Sequence, residues 1–199
     1  MAVAGTSLLE HAVQRAAGAP EVTDIVVVAP ASHHVEAGAI ASPAAGSTVV
    51  RVVAGGEERT DSVAAGLREL AAEVDVVLVH DAARAFAPAS LFSRLVAHVR
   101  AGHGAVVPGL PVTDTVKLVD RDGVVVGTPD RSALRAVQTP QAFRRDVLEA
   151  AHAAGGAATD DAALVEACGG RVVVVDGDPL ALKVTTPADL EVAERLVTR

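Results

Sequence analysis

Asp81 and Arg84 end an aliphatic run, Val76-Val77-Leu78-Val79, reached through His80 and separated from each other by Ala82-Ala83. A carboxylate and a guanidinium just beyond a strand can handle a polar substrate or a metal ion, because ligands of open α/β sheets bind outside the carboxyl ends of the strands. The two alanines suit close backbone approach. The plainer alternative is that Asp81 only makes a turn. A second candidate is Gly55-Gly56-Glu57-Glu58-Arg59-Thr60-Asp61-Ser62. Its paired glycines let the backbone approach a ligand, and Thr60 to Ser62 begin a helix whose free amides attract polar partners. The segment lacks the lysine of a P-loop.

The elements that must position these groups alternate along the chain. An unbroken β-branched run such as 75–79 reads as a strand buried on both faces, inside a parallel sheet covered by helices. Ser7 caps a helix that Gly18 stops, so the chain is expected to open on a helix. Strands follow at Asp24 to Ala29 and Thr48 to Val53, and a helix continues from Thr60 to about Ala72. His33 and His34 lie in a polar loop and receive no role. Pro88-Ala89-Ser90 opens a helix reaching Gly102, and Gly104 to Pro108 is a strand.

The next stretch changes character. The turn Arg121-Asp122-Gly123 between the runs Asp114 to Asp120 and Val124 to Gly127 predicts a hairpin. A hairpin inside a β/α chain is an excursion without a face in its own sheet, so residues 112–131 are expected to form an arm that packs on a second copy. The main domain resumes with a helix from Arg144 to Ala154 and one capped by Thr159-Asp160-Asp161. A strand at Arg171 to Val175 and a last helix, with Thr186 as cap and Pro187 as first residue, complete it.

Composition narrows the function. The 199 residues suit one α/β domain, with 50% hydrophobic and 21% charged residues. A net charge of −8 and 2% aromatics oppose nucleic-acid binding, which needs a basic face or stacking platforms. No apolar run has membrane-spanning length, so no membrane partner is expected. Cys168 is the single cysteine, which excludes an internal disulfide or a multi-cysteine zinc site. The first residues carry no basic segment followed by an apolar core, and a cytoplasmic location is expected.

Taken in order, Gly55 to Val63, Val79-His80-Asp81-Ala82-Ala83-Arg84, Asp114-Thr115-Val116-Lys117, Gln138-Thr139-Pro140-Gln141, Thr159-Asp160-Asp161 and Lys183-Val184-Thr185 resemble 2-C-methyl-D-erythritol 4-phosphate cytidylyltransferases. The resemblance spans nearly the whole chain, with ribitol-5-phosphate cytidylyltransferases as the nearest confusion. It implies a Rossmann-like, mostly parallel doubly wound sheet over residues 1–199 and a homodimer with exchanged arms. It also implies use of Mg²⁺ and transfer of CMP from CTP to a sugar-alcohol phosphate, releasing pyrophosphate.

By the same resemblance Gly55, Gly56, Glu57, Arg59 and Ser62 lie around the cytosine and ribose. Asp81, with a metal, and Arg84 lie at the junction with the second substrate. Thr115, Arg131, Thr159 and Lys183 lie around its phosphate and hydroxyls. Arg131 and Lys183 match the pair that positions the attacking phosphate, which suits a bidentate guanidinium and a mobile ammonium. Without that context Arg131 reads as a surface ion pair with Asp130 or Asp122, and Lys183 as a solvated residue before a helix. Ala85 stands where many relatives have proline.

The family opens with a strand, a loop of the Ala-Ala-Gly-x-Gly-x-Arg type and a Pro-Lys pair. This chain matches the segment immediately afterwards, from Val3 to His11. The expectation is therefore a start downstream of the natural one and a sheet with a gap beside the strands at Ile25 and Val76. A non-catalytic nucleotide or sugar-phosphate binding protein is the alternative.

Overall fold

The computed structural model describes residues 1–156 and 158–197. The first half comprises a short hairpin of β1 (Ala2–Val3) and β2 (Thr6–Ser7), then α1 (Leu8–Ala17), β3 (Asp24–Ala29), α2 (His34–Ala44), β4 (Val49–Ala54), α3 (Arg59–Arg68) and β5 (Val76–Val79). The second half comprises α4 (Ala89–Arg100), β6 (Ala105–Pro111), β7 (Leu118–Val119), β8 (Val125–Gly127), β9 (Arg135–Val137) and β10 (Gln141–Arg144). It ends with α5 (Arg145–Ala154), α6 (Asp161–Ala167), β11 (Val172–Asp176) and α7 (Pro187–Val197).

The architecture is mixed α/β, with β6 as its hub. β11 runs parallel to it on one side, and β9 and β10 run antiparallel to it. β10 then carries β5 antiparallel on its far edge. Alternation across β10 separates the two cores. Ala142 packs with Leu91, Phe92 and Leu95 of α4, while Phe143 packs with Leu148 of α5 and Leu164 and Val165 of α6. Helices therefore cover both faces of this sheet, and burying each large side chain contributes about 1.5–3 kcal/mol.

Several elements differ from the sequence reading. The chain opens on the β1–β2 hairpin, whose turn residues Ala4 and Gly5 have φ of 50° and 82°; only then does Ser7 cap α1, its hydroxyl accepting from the Glu10 amide at 3.1 Å. His34 begins a helix rather than lying in a loop, although both His33 and His34 are exposed as expected. α3 stops at Arg68, short of Ala72. A mostly parallel sheet was expected, yet β10 and β9, to which the sequence reading gave no strand, insert antiparallel beside β6.

β5 was expected to be buried on both faces within the sheet, but it closes one edge of it. β3 and β4 form a separate parallel pair. Between β3 and β5 lies a slot of about 620 Å³, lined by Val26, Val27, Val28, Val76, Val77 and Leu78 together with Leu9, Val13, Leu67 and Phe92. The slot lies beside Ile25 and Val76. It leaves Val76, Leu78 and Val79 half-buried.

Candidate active site

β5 delivers His80 and Asp81 to the end of the sheet, where the chain turns through Ala82–Arg84. Asp81 is held from both sides. Its amide donates to Thr139 Oγ1 at 3.0 Å, and its Oδ2 lies 2.9 Å from Lys183 Nζ. No protein group bonds Oδ1 among the described residues. Lys183 is about half exposed, with its side chain 48% accessible, so the ammonium is free to exchange partners. The Thr139 hydroxyl also meets His80 Nδ1 at 3.1 Å. His80 borders the slot, but its Nε2 is enclosed and its ring packs edge-on against Phe92. Burial pulls its pKa down to about 4, with Asp81 opposing, so the ring is neutral at pH 7.

Lys183 reaches Asp81 because the preceding loop is pinned. Arg84 Nη1 donates to the Ala181 carbonyl at 2.7 Å, and Nη2 to the Val137 carbonyl at 3.3 Å. The Val184 amide donates to the Ala83 carbonyl at 2.8 Å. Buried Gln138 completes the clamp, donating to the carbonyls of Asp178 and Ala181 and accepting from the Asp178 amide. A Cβ on Gly177 would stand 2.3 Å from Gln138 Oε1, so only glycine lets this approach form. Arg84, expected at the second substrate, is thus engaged with backbone carbonyls.

The glycine loop runs from β4 into α3. The Gly56 amide donates to Ser62 Oγ at 3.2 Å, and the Glu58 amide donates to Asp61 Oδ2 at 3.3 Å. A Cβ at Gly56 would lie 2.3 Å from Asp61 Cβ, and one at Gly55 2.7 Å from Ser62 Oγ. The loop therefore rides closely on the first turn of its helix, and Glu57 is left exposed. Arg59, expected at the nucleotide, donates instead to Asp161 Oδ2 at 2.7 Å.

The remaining sequence candidates stand apart. Thr115 and Arg131 belong to the arm, where Arg131 Nη1 donates to the Thr113 carbonyl at 2.5 Å, and among the described residues no hydrogen bond or ion pair joins either side chain to Asp81 or Lys183. The ion pair of Arg131 with Asp130 or Asp122 does not form; Asp130 instead accepts from the Ser132 amide and hydroxyl. Thr159 is exposed in the turn before α6. Sequence reasoning gave no site role to His80, Gln138, Thr139 or Asp161, the last being read only as part of a helix cap. The Gln138-Thr139-Pro140-Gln141 segment had been singled out, but nothing local signals that its side chains bridge to residues 80 and 178.

Among the described residues no cluster of three histidine, cysteine or acidic side chains stands ready for a metal ion. Mg²⁺ in nucleotide sites is held by one or two carboxylates plus the substrate phosphates, so a single carboxylate with a free oxygen, as at Asp81, fits it. No helix of the described residues is long and apolar enough to cross a membrane.

The pattern of the 2-C-methyl-D-erythritol 4-phosphate cytidylyltransferase (IspD) family matches residues 1–199. The chain is 56% identical over 197 residues to the enzyme so named in Nocardia farcinica, covering 99% of this chain and 84% of that one. It is 52% identical over 194 residues to the Rhodococcus jostii enzyme, with coverage of 97% and 83%. The crystal structure of 4-diphosphocytidyl-2C-methyl-D-erythritol synthase from Anaerococcus prevotii superposes with a TM-score of 0.91 at 30% identity, covering 100% of this chain and 92% of that one. The Thermus thermophilus cytidylyltransferase structure gives 0.81 at 35% identity, with the same coverage.

Proposed function

The chain belongs to the 2-C-methyl-D-erythritol 4-phosphate cytidylyltransferase family, and from that premise we propose how its residues transfer CMP from CTP to methylerythritol phosphate. The observation that carries the reading is the Asp81–Lys183 pair at the end of β5, 2.9 Å apart, with the lysine about half exposed and the aspartate mostly buried. A phosphate oxygen of the acceptor attacks the α-phosphorus of CTP, a new P–O bond forms in line, and the bond to pyrophosphate breaks. Such transfers depend mainly on positioning and charge neutralisation.

Lys183 leaves Asp81 for the acceptor's phosphate, a stronger partner because it carries up to two charges. Arg131 grips the same phosphate through its planar fork. Gly55, Gly56, Glu57 and Ser62 take the cytosine and ribose at the N-terminus of α3, where free amides and the helix dipole favour polar groups. Arg84 keeps the Lys183 loop in place, and Thr115 and Thr159 meet the acceptor's hydroxyls. Asp81 would hold Mg²⁺, which neutralises charge on the CTP phosphates when bound.

The arm supports a homodimer within a Rossmann-like, single-domain protomer. Leu118, Val119, Val124, Val125 and Val126 are all more than half exposed on a hairpin to which no further strand pairs among the described residues. A second copy would cover them, and Thr115 and Arg131 would then complete the neighbour's site. Both substrates are water-soluble phosphates, which fits the expected cytoplasmic location.

Pyrophosphate release tests the function. The protein with CTP and Mg²⁺ is offered methylerythritol phosphate or ribitol phosphate. Faster release with the former supports the reading. Preference for ribitol phosphate would reassign the acceptor, and CTP binding without release from either would favour a non-catalytic binder.

A further inference from the structure

We propose that buried Asp161, locked by His152, is a positioning residue that holds the nucleotide loop and the acceptor loop in one geometry through Arg59. The inference rests on the reading above, in which the Gly55–Ser62 segment takes CTP and the Thr159 turn takes the acceptor. Asp161 has no accessible surface. Its Oδ2 accepts from Arg59 at 2.7 Å and its Oδ1 from His152 Nε2 at 2.9 Å. Burial alone would raise its pKa, but the hydrogen bonds from His152 and Arg59 outweigh it and hold the carboxyl below the usual range, so the group is ionised.

The two ends of this strut are what give it a role. Arg59 is the first residue of α3, directly after the glycine loop, and Ser62 of the same turn accepts the Gly56 amide. Asp161 is the first residue of α6, directly after Thr159 and Asp160. Asp160 caps that helix by accepting from the Ala163 amide, and its other oxygen accepts from buried Gln141 Nε2 at 2.8 Å. Gln141 pairs in register with Val79, just before Asp81. One continuous set of bonds thus runs from the nucleotide loop, across segments 102 positions apart in sequence, to the strand end bearing Asp81.

A pair serving only stability would need no such placement, since buried ion pairs are often replaceable by apolar side chains. Arg59 also keeps Nη1 enclosed without a partner among the described residues, a donor left over once Nη2 has bonded Asp161.

The test uses the full chain and calorimetric CTP binding, with turnover measured separately. Asp161→Asn keeps shape and removes charge; it is expected to weaken CTP binding about tenfold and raise KM for the acceptor by a similar factor, while kcat changes less than threefold. Arg59→Gln should show the same split, and the double variant should be no worse than the poorer single one. His152→Gln, which keeps a donor near the Nε2 position, should recover most of the binding that His152→Ala loses. If Asp161→Asn does not fold, as judged by circular dichroism, Arg59→Gln alone decides. A folded variant that binds both substrates as the parent does, or additive losses in the double variant, would overturn the strut while leaving the functional reading intact. A parent protein that does not bind CTP would instead overturn the functional reading, and the strut with it.

Discussion

Arg84 and Lys183 never touch, yet one places the other. Arg84 Nη1 bonds the Ala181 carbonyl at 2.7 Å, two residues before Lys183, which then lies 2.9 Å from Asp81. Arg84→Ala should therefore act through the loop. Acceptor KM should rise about tenfold, from the loss of one or two charged hydrogen bonds of roughly 1.5–3 kcal/mol each. CTP binding should hold. Steady-state kinetics in each substrate and calorimetry with CTP check this pair of outcomes.

Gly56→Ala should be worse than Gly55→Ala. At Gly56 the new Cβ meets Asp61 Cβ at 2.3 Å, a backbone-anchored atom, so the loop must lift from the helix; at Gly55 it meets a hydroxyl that can rotate. A lifted loop loses positioning worth about a factor of ten or more in CTP KM. Equal KM values for the two variants would show that the close approach is immaterial.

The arm can be tested by mixing inactive variants. If Arg131 serves the neighbouring copy, Arg131→Ala and Lys183→Ala chains mixed and re-equilibrated should regain about a quarter of parental activity, because half of randomly assorted dimers hold one intact site. If it serves its own chain, no activity returns. Val126→Asp, at a position 65% exposed, should shift the solution mass toward the monomer.

His80 makes stability acid-sensitive. Its folded pKa of about 4 lies below the ordinary 6.5, so between these values the unfolded chain binds a proton that the native one does not. Stability therefore falls as pH drops below 6.5, by about 2 kcal/mol at pH 5 at 1.36 kcal/mol per unit. Urea midpoints at pH 7 and pH 5 measure it, and His80→Asn should flatten the difference. Asp161, depressed rather than raised, adds stability at neutral pH that disappears only below the ordinary carboxylate range.

What could be read beforehand was local. The strand end at Asp81, the Ser7 cap and the Asp122-Gly123 reversal each declare themselves within a few residues. β10 did not, because Gln141 to Arg144 is too short and too polar at its ends to show alternation, although Ala142 and Phe143 feed opposite cores. α2 hid because its alanine-rich sequence has scarcely any apolar face and contains Pro43. The site showed the same divide. Asp81 and Lys183 were named and lie together, but the engagement of Arg84 with Ala181 and of Arg59 with Asp161 depends on residues about a hundred positions away.

The slot beside β3 and β5 has a measurable signature. Among the described residues both strands are hydrogen-bonded along one edge only, so alternate amides of Ile25 to Val28 and Val76 to Val79 lack ladder partners there. In hydrogen exchange these amides should be protected far less than those of β6, which is bonded on both sides. Uniform protection across β3, β5 and β6 would contradict the open edge.

Lys183, parked 2.9 Å from Asp81, is the cation proposed to receive the acceptor's phosphate. Lys183→Ala measures this most directly, with kcat/KM for methylerythritol phosphate and the dissociation constant of CTP determined on one preparation. The expected result is a fall of about 10²-fold in the former, the scale of one lost transition-state contact, and a CTP constant within about twofold of the parent's. CTP affinity falling in step with acceptor turnover, or an unchanged kcat/KM, would contradict it.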